Sequence, residues 1–98
     1  MEYLSTKWQK LRQRALRRDG YKCQLCARYG RQKEGTTVHH AFPAEHYPEL
    51  QYNINNCVTL CTQCHERCHY RASHELTEEG KKLQQRIGQK YGFDINNR

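Results

Sequence analysis

The 98-residue chain is long enough for one small domain, and its 36% apolar residues against 28% charged residues leave little material for a hydrophobic core. The first residues lack the basic and apolar regions of an export signal, and no apolar run approaches the roughly 18 residues of a membrane span, so we expect a cytoplasmic protein without a membrane partner. Six cysteines in that setting favour metal binding over a disulfide framework, and the formal net charge of +7 favours a polyanionic partner.

The positive charge is concentrated in the first third of the chain. Residues 1–33 carry ten Lys or Arg against two acidic residues, a formal charge of +8 that leaves −1 for the rest. Apolar residues at three- and four-residue spacing predict a helix over about residues 4–18, with Leu4, Trp8, Leu11 and Ala15 on one stripe. The predicted nucleic-acid-binding residues on its other faces are Lys7, Lys10, Arg14, Arg17 and Arg18. The alternative is a solvated helix face that aids only solubility.

The next segments alternate short strands, a loop and helices. Residues 21–37 are rich in Cys, Gly, Arg and Thr, and predict a metal knuckle followed by a turn and a short strand. Two prolines in residues 41–55 indicate a loop, and residues 57–60 are a plausible second strand. Helices are then predicted over about residues 62–72 and, with Thr77 as N-cap, about residues 77–91.

Two Cys-x-x-Cys pairs, 34 residues apart, predict a structural zinc site. The ligands would be Cys23 and Cys26 in the first pair and Cys61 and Cys64 in the second. Two residues between thiols let both sulfurs face one point, and two such pairs complete the tetrahedron that Zn²⁺ accepts. Cys57 and Cys68 each lie four residues from a cysteine of the second pair and could share a metal. We interpret them as small buried hydrophobic residues or free thiols.

Histidines and an asparagine accompany the two cysteine pairs. In chain order they are His39, His40, Asn56, His65 and His69. The last two are four residues apart on the predicted helix, so their rings would project from one face and could bind a single metal. From the first cysteine pair to His-x-x-x-His, over about residues 21–71, the sequence resembles the zinc-containing HNH endonuclease family.

The resemblance implies a fold and a role for each of these residues. The fold would be α+β, a ββα-metal (His-Me finger) motif with a four-cysteine zinc knuckle and flanking helices, in one domain over residues 1–98. By the family pattern His40 would be the general base, and Asn56 would secure the loop that orients it. His39, His65 and His69 would bind the catalytic metal, with His65 counted among the catalytic residues.

The activity implied by the resemblance is metal-dependent hydrolysis of DNA phosphodiester bonds, by nicking or by cutting both strands. Its cofactors would be structural Zn²⁺ and a divalent catalytic ion, Mg²⁺, Mn²⁺, Ni²⁺ or Zn²⁺. Likeness to small phage proteins implies DNA as partner, the bacterial host cytoplasm as location, and a phage terminase as a further partner. Two alternatives stay open, a zinc-stapled module that binds nucleic acid without cutting it and a protein-interaction zinc domain.

Overall fold

The elements below come from a computed structural model that describes residues 2–93, so positions 1 and 94–98 of the predicted domain lie outside the described residues. In chain order the elements are α1 (Thr6–Arg18), α2 (Gln24–Arg28), β1 (Thr37–His40), β2 (Cys57–Leu60), α3 (Thr62–Cys68) and α4 (Glu78–Tyr91). β1 and β2 pair as an antiparallel sheet with His40 opposite Cys57. This arrangement confirms the α+β expectation. No helix between residues 2 and 93 has the length and apolar character needed to span a membrane.

Helix α1 begins later than its apolar pattern predicts. The hydroxyl of Ser5 accepts a hydrogen bond from the Trp8 N–H at 3.2 Å and so caps the helix, which begins at Thr6. Leu4, placed on the apolar stripe by its spacing, lies before the cap and is 88% exposed. The expectation for Leu4 was therefore wrong. At the other end, Gly20 adopts the left-handed φ of 62° that ends the helix.

Two side chains at the end of α1, those of Arg18 and Asp19, cover the outer edge of β2, where a third strand would otherwise pair. Arg18 donates hydrogen bonds to the carbonyls of Cys57 at 2.6 Å and Ile54 at 2.9 Å. Asp19 accepts one from the Thr59 N–H at 3.2 Å and holds Arg18 through a bidentate ion pair. An open strand edge leaves backbone groups unpaired, so this pair satisfies them and fixes α1 against the sheet.

Helix α3 ends at Cys68, four residues before the predicted end near residue 72. The carbonyl of Cys68 instead accepts a hydrogen bond from the Thr77 N–H at 2.9 Å, and His69 pairs with Leu76 as an isolated bridge. α4 then starts directly over this point. A Cβ at Gly80 would lie 2.3 Å from the Cys68 carbonyl oxygen, so only glycine allows the two helices to approach this closely.

The two faces of the sheet pack against different cores. Side chains alternate along a strand, so Val58 and Leu60 face one way and Cys57 the other. The first face packs with the four knuckle cysteines, Cys68 and Leu83 of α4. The second packs with the apolar stripe of α1, which includes Trp8. Cys57 and Cys68 thus take the buried positions expected of small hydrophobic residues, within the core rather than the sulfur cluster.

Candidate metal centres and active site

The four knuckle cysteines meet at one point between α2 and α3. Cys23 and Cys61 are the N-caps of these helices, and each thiol accepts a hydrogen bond, at 3.5 Å, from the N–H of the second cysteine of its pair. The Cys26 sulfur lies 4.0 Å from that of Cys61 and 3.7 Å from that of Cys64. Zn–S bonds of about 2.3 Å in a tetrahedron separate the sulfurs by about 3.8 Å. The four sulfurs can therefore bind zinc.

The electrostatics of the sulfur cluster also favour a cation. Burial and the neighbouring Cys23 thiol raise the pKa of Cys26, and burial with the surrounding thiols raises that of Cys64. Burial alone would raise the pKa of Cys61 too, but hydrogen bonds from the Cys64 backbone and nearby thiols lower it to about 7. Without a metal the cluster can thus hold little negative charge, whereas zinc would stabilise all four thiolates.

Three cationic side chains line a hollow beside the sulfur cluster, and these are Arg31, Lys33 and Arg67. A zinc ion with four thiolates would carry a net charge of −2. Nearby cations offset such a charge and help to keep the thiolates deprotonated. The three cations are therefore placed to offset the negative charge that the cysteine site would carry with zinc bound.

Three imidazoles converge where β1 meets α3, and His39 shares its sheet face with Val58, its partner in β2. His39 comes from the strand, His65 from α3, and His69 from the residue after α3. Their ring centroids are 5.2 to 5.3 Å apart, and one ring nitrogen of each lies within 4.8 Å of the others. The early end of α3 does not separate His65 from His69. The rings meet edge to face, as ligands around a common point do.

One nitrogen of His39 is the atom of this cluster that most needs a ligand. The His39 side chain is buried. Among the buried side-chain nitrogen and oxygen atoms of residues 2–93, Nε2 of His39 is the one without a hydrogen-bond partner. Burial, with His65 and His69 nearby, lowers the His39 pKa well below its ordinary value, so the ring is neutral at pH 7. A buried polar atom without a partner is costly. A metal bound at Nε2 would remove that cost.

A backbone carbonyl determines which ring nitrogen of His69 carries the proton. Its Nδ1 lies 3.0 Å from the carbonyl oxygen of His74. A carbonyl only accepts, so Nδ1 carries the proton and Nε2 keeps the lone pair that a metal would take. This is the hydrogen bond by which proteins orient metal-binding imidazoles. His69 therefore has the tautomer that metal binding through Nε2 needs.

His40 lies beside the three imidazoles and is oriented by a different carbonyl. Its Nε2 donates a hydrogen bond to the Gln51 carbonyl at 2.9 Å, which leaves the lone pair on Nδ1. The indole of Trp8 stacks on the ring with a centroid distance of 4.8 Å and an interplanar angle of 27°. Burial lowers the His40 pKa, although the Gln51 hydrogen bond opposes this. The ring is thus neutral at pH 7 and able to accept a proton at Nδ1.

Asn56 fixes the loop that supplies this carbonyl. Its fully buried side chain accepts a hydrogen bond from the Phe42 N–H at 2.7 Å and donates to the carbonyls of Phe42 at 3.0 Å and Leu50 at 3.1 Å. Gln51 follows Leu50 directly. One amide therefore joins the start of the loop over residues 41–55 to Leu50 within it, and so keeps the Gln51 carbonyl beside His40.

All four imidazoles line one open cleft of about 820 Å³. Its other walls come from the residues before α1, from the start of the 41–55 loop and from the segment after α3. The cleft is large enough for a phosphate with its adjoining sugars. A proton-accepting nitrogen beside three convergent imidazoles that could hold a metal is an arrangement able to support phosphodiester hydrolysis.

The basic residues of α1 divide into two groups. Lys7, Lys10, Arg14 and Arg17 are exposed, and their spacing places them on one helix face. Lys7 lies with its ammonium 4.1 Å from the centroid of the Tyr52 ring. Arg18 differs, because its guanidinium is engaged by Asp19 and by the two carbonyls at the edge of β2. Its contacts indicate a structural role.

The sequence pattern did not identify the groups that orient the histidines. The carbonyls of Gln51 and His74 do so, and a backbone carbonyl has no sequence signature. His74 also has an unusual backbone φ of 61° where its carbonyl meets His69. Trp8 was expected to be a core residue, and it is buried, but its stacking on His40 was not expected. The spacing of Trp8 from Leu11 on the apolar stripe predicted only that Trp8 would be buried.

Comparisons with known proteins identify the family of the chain. The profile of the HNH endonuclease family matches residues 23–71, which is half of the chain. A solved structure described as the "deep-sea thermophilic bacteriophage GVE2 HNH endonuclease with manganese ion" is 29% identical, with a TM-score of 0.65 over 66% of this chain and 71% of that chain. No curated protein matches the sequence. From the family match and the shared fold we conclude that the chain belongs to the HNH endonuclease family.

Proposed function

We propose that this protein hydrolyses DNA phosphodiester bonds with a divalent metal held by His39, His65 and His69 and with His40 as general base. The observation that carries the proposal is the unpartnered buried Nε2 of His39, which lies among imidazoles that converge beside His40. A domain that only binds nucleic acid has no need of such a group. Family membership supports the same activity.

The donor set indicates which cations the site would take. Three imidazoles suit Mn²⁺, Ni²⁺ or Zn²⁺, whereas Mg²⁺ prefers oxygen ligands and keeps most of its water. The related bacteriophage structure contains manganese. When bound, the cation would supply positive charge beside the scissile phosphate, where negative charge develops on the leaving oxygen. We therefore expect activity with Mn²⁺ or Ni²⁺ to exceed activity with Mg²⁺.

The chain's own groups account for the proton transfer. The lone pair on Nδ1 of His40 would accept a proton from the attacking water, while Nε2 keeps its proton on the Gln51 carbonyl. The water oxygen then bonds to phosphorus, the bond from phosphorus to the 3′ oxygen breaks, and that oxygen takes a proton from solvent. The products would be a 5′-phosphate and a 3′-hydroxyl. Asn56 acts as a positioning residue, since it reaches His40 only through the loop.

The basic face of α1 would bind the DNA backbone. Lys7, Lys10, Arg14 and Arg17 can neutralise phosphates and release counterions, which gives affinity without sequence preference. Trp8 on the same helix contacts His40, so DNA bound along α1 would lie close to the cleft. We assign Arg18 to the stability of the sheet edge in place of DNA contact.

We also propose that zinc on the four cysteines holds this arrangement together, and that residues 1–98 form one domain. The sulfur cluster joins α2 to α3, and α3 carries His65. A zinc ion there would supply folding energy on the order of 10 kcal/mol, which a core this small needs. The host cytoplasm and a phage terminase as partner stay predictions from the resemblance.

A plasmid assay tests the proposed activity. Supercoiled DNA incubated with the protein and Mn²⁺, Ni²⁺ or Mg²⁺ should become nicked or linear, and His40→Ala should reduce the rate at least 100-fold. His46→Ala is a matched control, because that histidine is exposed and does not line the cleft. DNA binding without cleavage by any of these ions would instead favour a module that binds nucleic acid without cutting it.

A further inference from the structure

Two exposed tyrosines stand at the opening of the cleft that contains the imidazoles. Tyr3 is 52% exposed and Tyr70 is 54% exposed, and both line that cleft. They come from separate parts of the chain, one before α1 and one after α3. Aromatic rings are normally buried for their apolar area, so two exposed rings at one opening suggest a ligand with apolar faces.

The ring of Tyr3 and the backbone of Tyr70 are held in place, and both rings stay exposed. The edge of one ring meets the face of the other in the Tyr3–Trp8 pair, with centroids 5.7 Å apart and an interplanar angle of 85°, and Trp8 in turn stacks on His40. The backbone of Tyr70 is fixed by two hydrogen bonds of 2.8 Å, from its N–H to the Glu75 carbonyl and from the His74 N–H to its own carbonyl. Rings on fixed supports lose little freedom when a ligand stacks on them.

The charges of the cleft walls add little to the affinity for a DNA strand. The lining of the cleft includes one cationic side chain, Arg71, but also two carboxylates, Glu45 and Glu66. The cations of α1 can hold backbone phosphates along the helix, but the cleft walls offer few further contacts to phosphates. Contacts to the bases themselves would supply the missing affinity.

We propose that Tyr3 and Tyr70 are stacking platforms for nucleobases of unpaired nucleotides, so that the protein favours single-stranded or locally unpaired DNA over a continuous duplex. The proposal rests on the nuclease function proposed above and names its substrate class. Within a duplex each base face is covered by its neighbours, so an aromatic ring can stack only where bases have been separated. Stacking of this kind tolerates any base and is worth about 5- to 150-fold in affinity per base.

Binding measured without divalent cation tests the stacking separately from cleavage. A fluorescent single strand of mixed sequence and its blunt duplex would be titrated with protein in EDTA-free, metal-free buffer at one fixed salt concentration, with zinc retained on the cysteines. Tyr3→Ala and Tyr70→Ala should each weaken binding of the single strand at least 5-fold and leave the duplex almost unchanged. The phenylalanine variants should bind like wild type. Tyr29→Ala is the matched control, since Tyr29 is 69% exposed but does not line the cleft.

Cleavage with Mn²⁺ then compares a duplex containing a short bulge with a fully paired duplex. Wild type should cut at the bulge at least 5-fold faster, and the alanine variants should lose that preference. Equal affinity for both forms, or alanine variants that bind the single strand like Tyr29→Ala, would overturn the stacking proposal even if the protein cuts DNA. Tyrosine-dependent binding of single strands without any cleavage would support stacking and refute the nuclease.

Discussion

Replacing Asn56 by alanine should weaken both the fold and the active site. The side chain is fully buried and makes three hydrogen bonds, each worth a net contribution of about 0.5–1.5 kcal/mol. Its loss also leaves the Phe42 N–H buried without a partner, which adds about 1–3 kcal/mol. We therefore expect Asn56→Ala to lower the free energy of unfolding by about 2.5–7.5 kcal/mol, a fall in Tm of at least about 10 °C for a domain of this size.

Thermal unfolding followed by circular dichroism measures this effect, and Asn55→Ala is the matched control. The Asn55 side chain makes no hydrogen bond within residues 2–93, so that variant should stay within about 1 kcal/mol of wild type. Below its Tm, Asn56→Ala should also cut DNA on the order of 100-fold more slowly, because the carbonyl that orients His40 is no longer fixed. Its catalytic metal affinity should be unchanged. An Asn56→Ala protein as stable and as active as Asn55→Ala would refute the reasoning.

Three further predictions concern the zinc, the sheet edge and the basic helix. A chelator that removes zinc should unfold the domain, and a metal-free protein with unchanged circular dichroism and Tm would contradict the structural role of the cysteines. Burial raises the pKa of Asp19, but the hydrogen bonds from Arg18 and Thr59 together lower it by more, so the pKa lies below its ordinary value. Asp19→Asn should therefore cost about 1–2 kcal/mol near pH 7, and the difference from wild type in urea titrations should vanish as the pH falls through the folded pKa. Neutralising Lys10 and Arg14 together should reduce the slope of log K against log salt for DNA by about 1.8. The same reduction on neutralising the exposed pair Lys81 and Lys82 of α4 would argue against a specific role for α1.

Local patterns in the sequence were sufficient to predict most of the elements. Apolar spacing located α1 and α4, and Thr77 caps α4 through a hydrogen bond from the Gly80 N–H at 3.2 Å, as its sequence position indicates. The Cys-x-x-Cys spacing predicted that four sulfurs would converge, because that geometry is set within a few residues. Where the signal lies within one turn of chain, the sequence was informative.

Contacts between distant residues account for what the sequence did not predict. The early end of α3 depends on Thr77 and Gly80, which come from the start of the next helix and have no visible relation to Cys68 in the sequence. Arg18 belongs to the basic face by spacing alone, yet the two carbonyls that it binds at the edge of β2 lie more than 35 residues away. The stacking of Trp8 on His40 likewise depends on how α1 packs against the sheet. Such pairings become visible only when the fold is known.

Anomalous diffraction from crystals soaked with Mn²⁺, with data collected at the manganese edge, tests the central claim most directly. We predict one manganese peak bounded by Nε2 of His39, a ring nitrogen of His65 and Nε2 of His69, in the cleft that His40 also lines. A second peak at the zinc edge should lie among the four cysteine sulfurs. Manganese bound elsewhere, or no peak among the three imidazoles at a concentration that supports cleavage, would contradict the account.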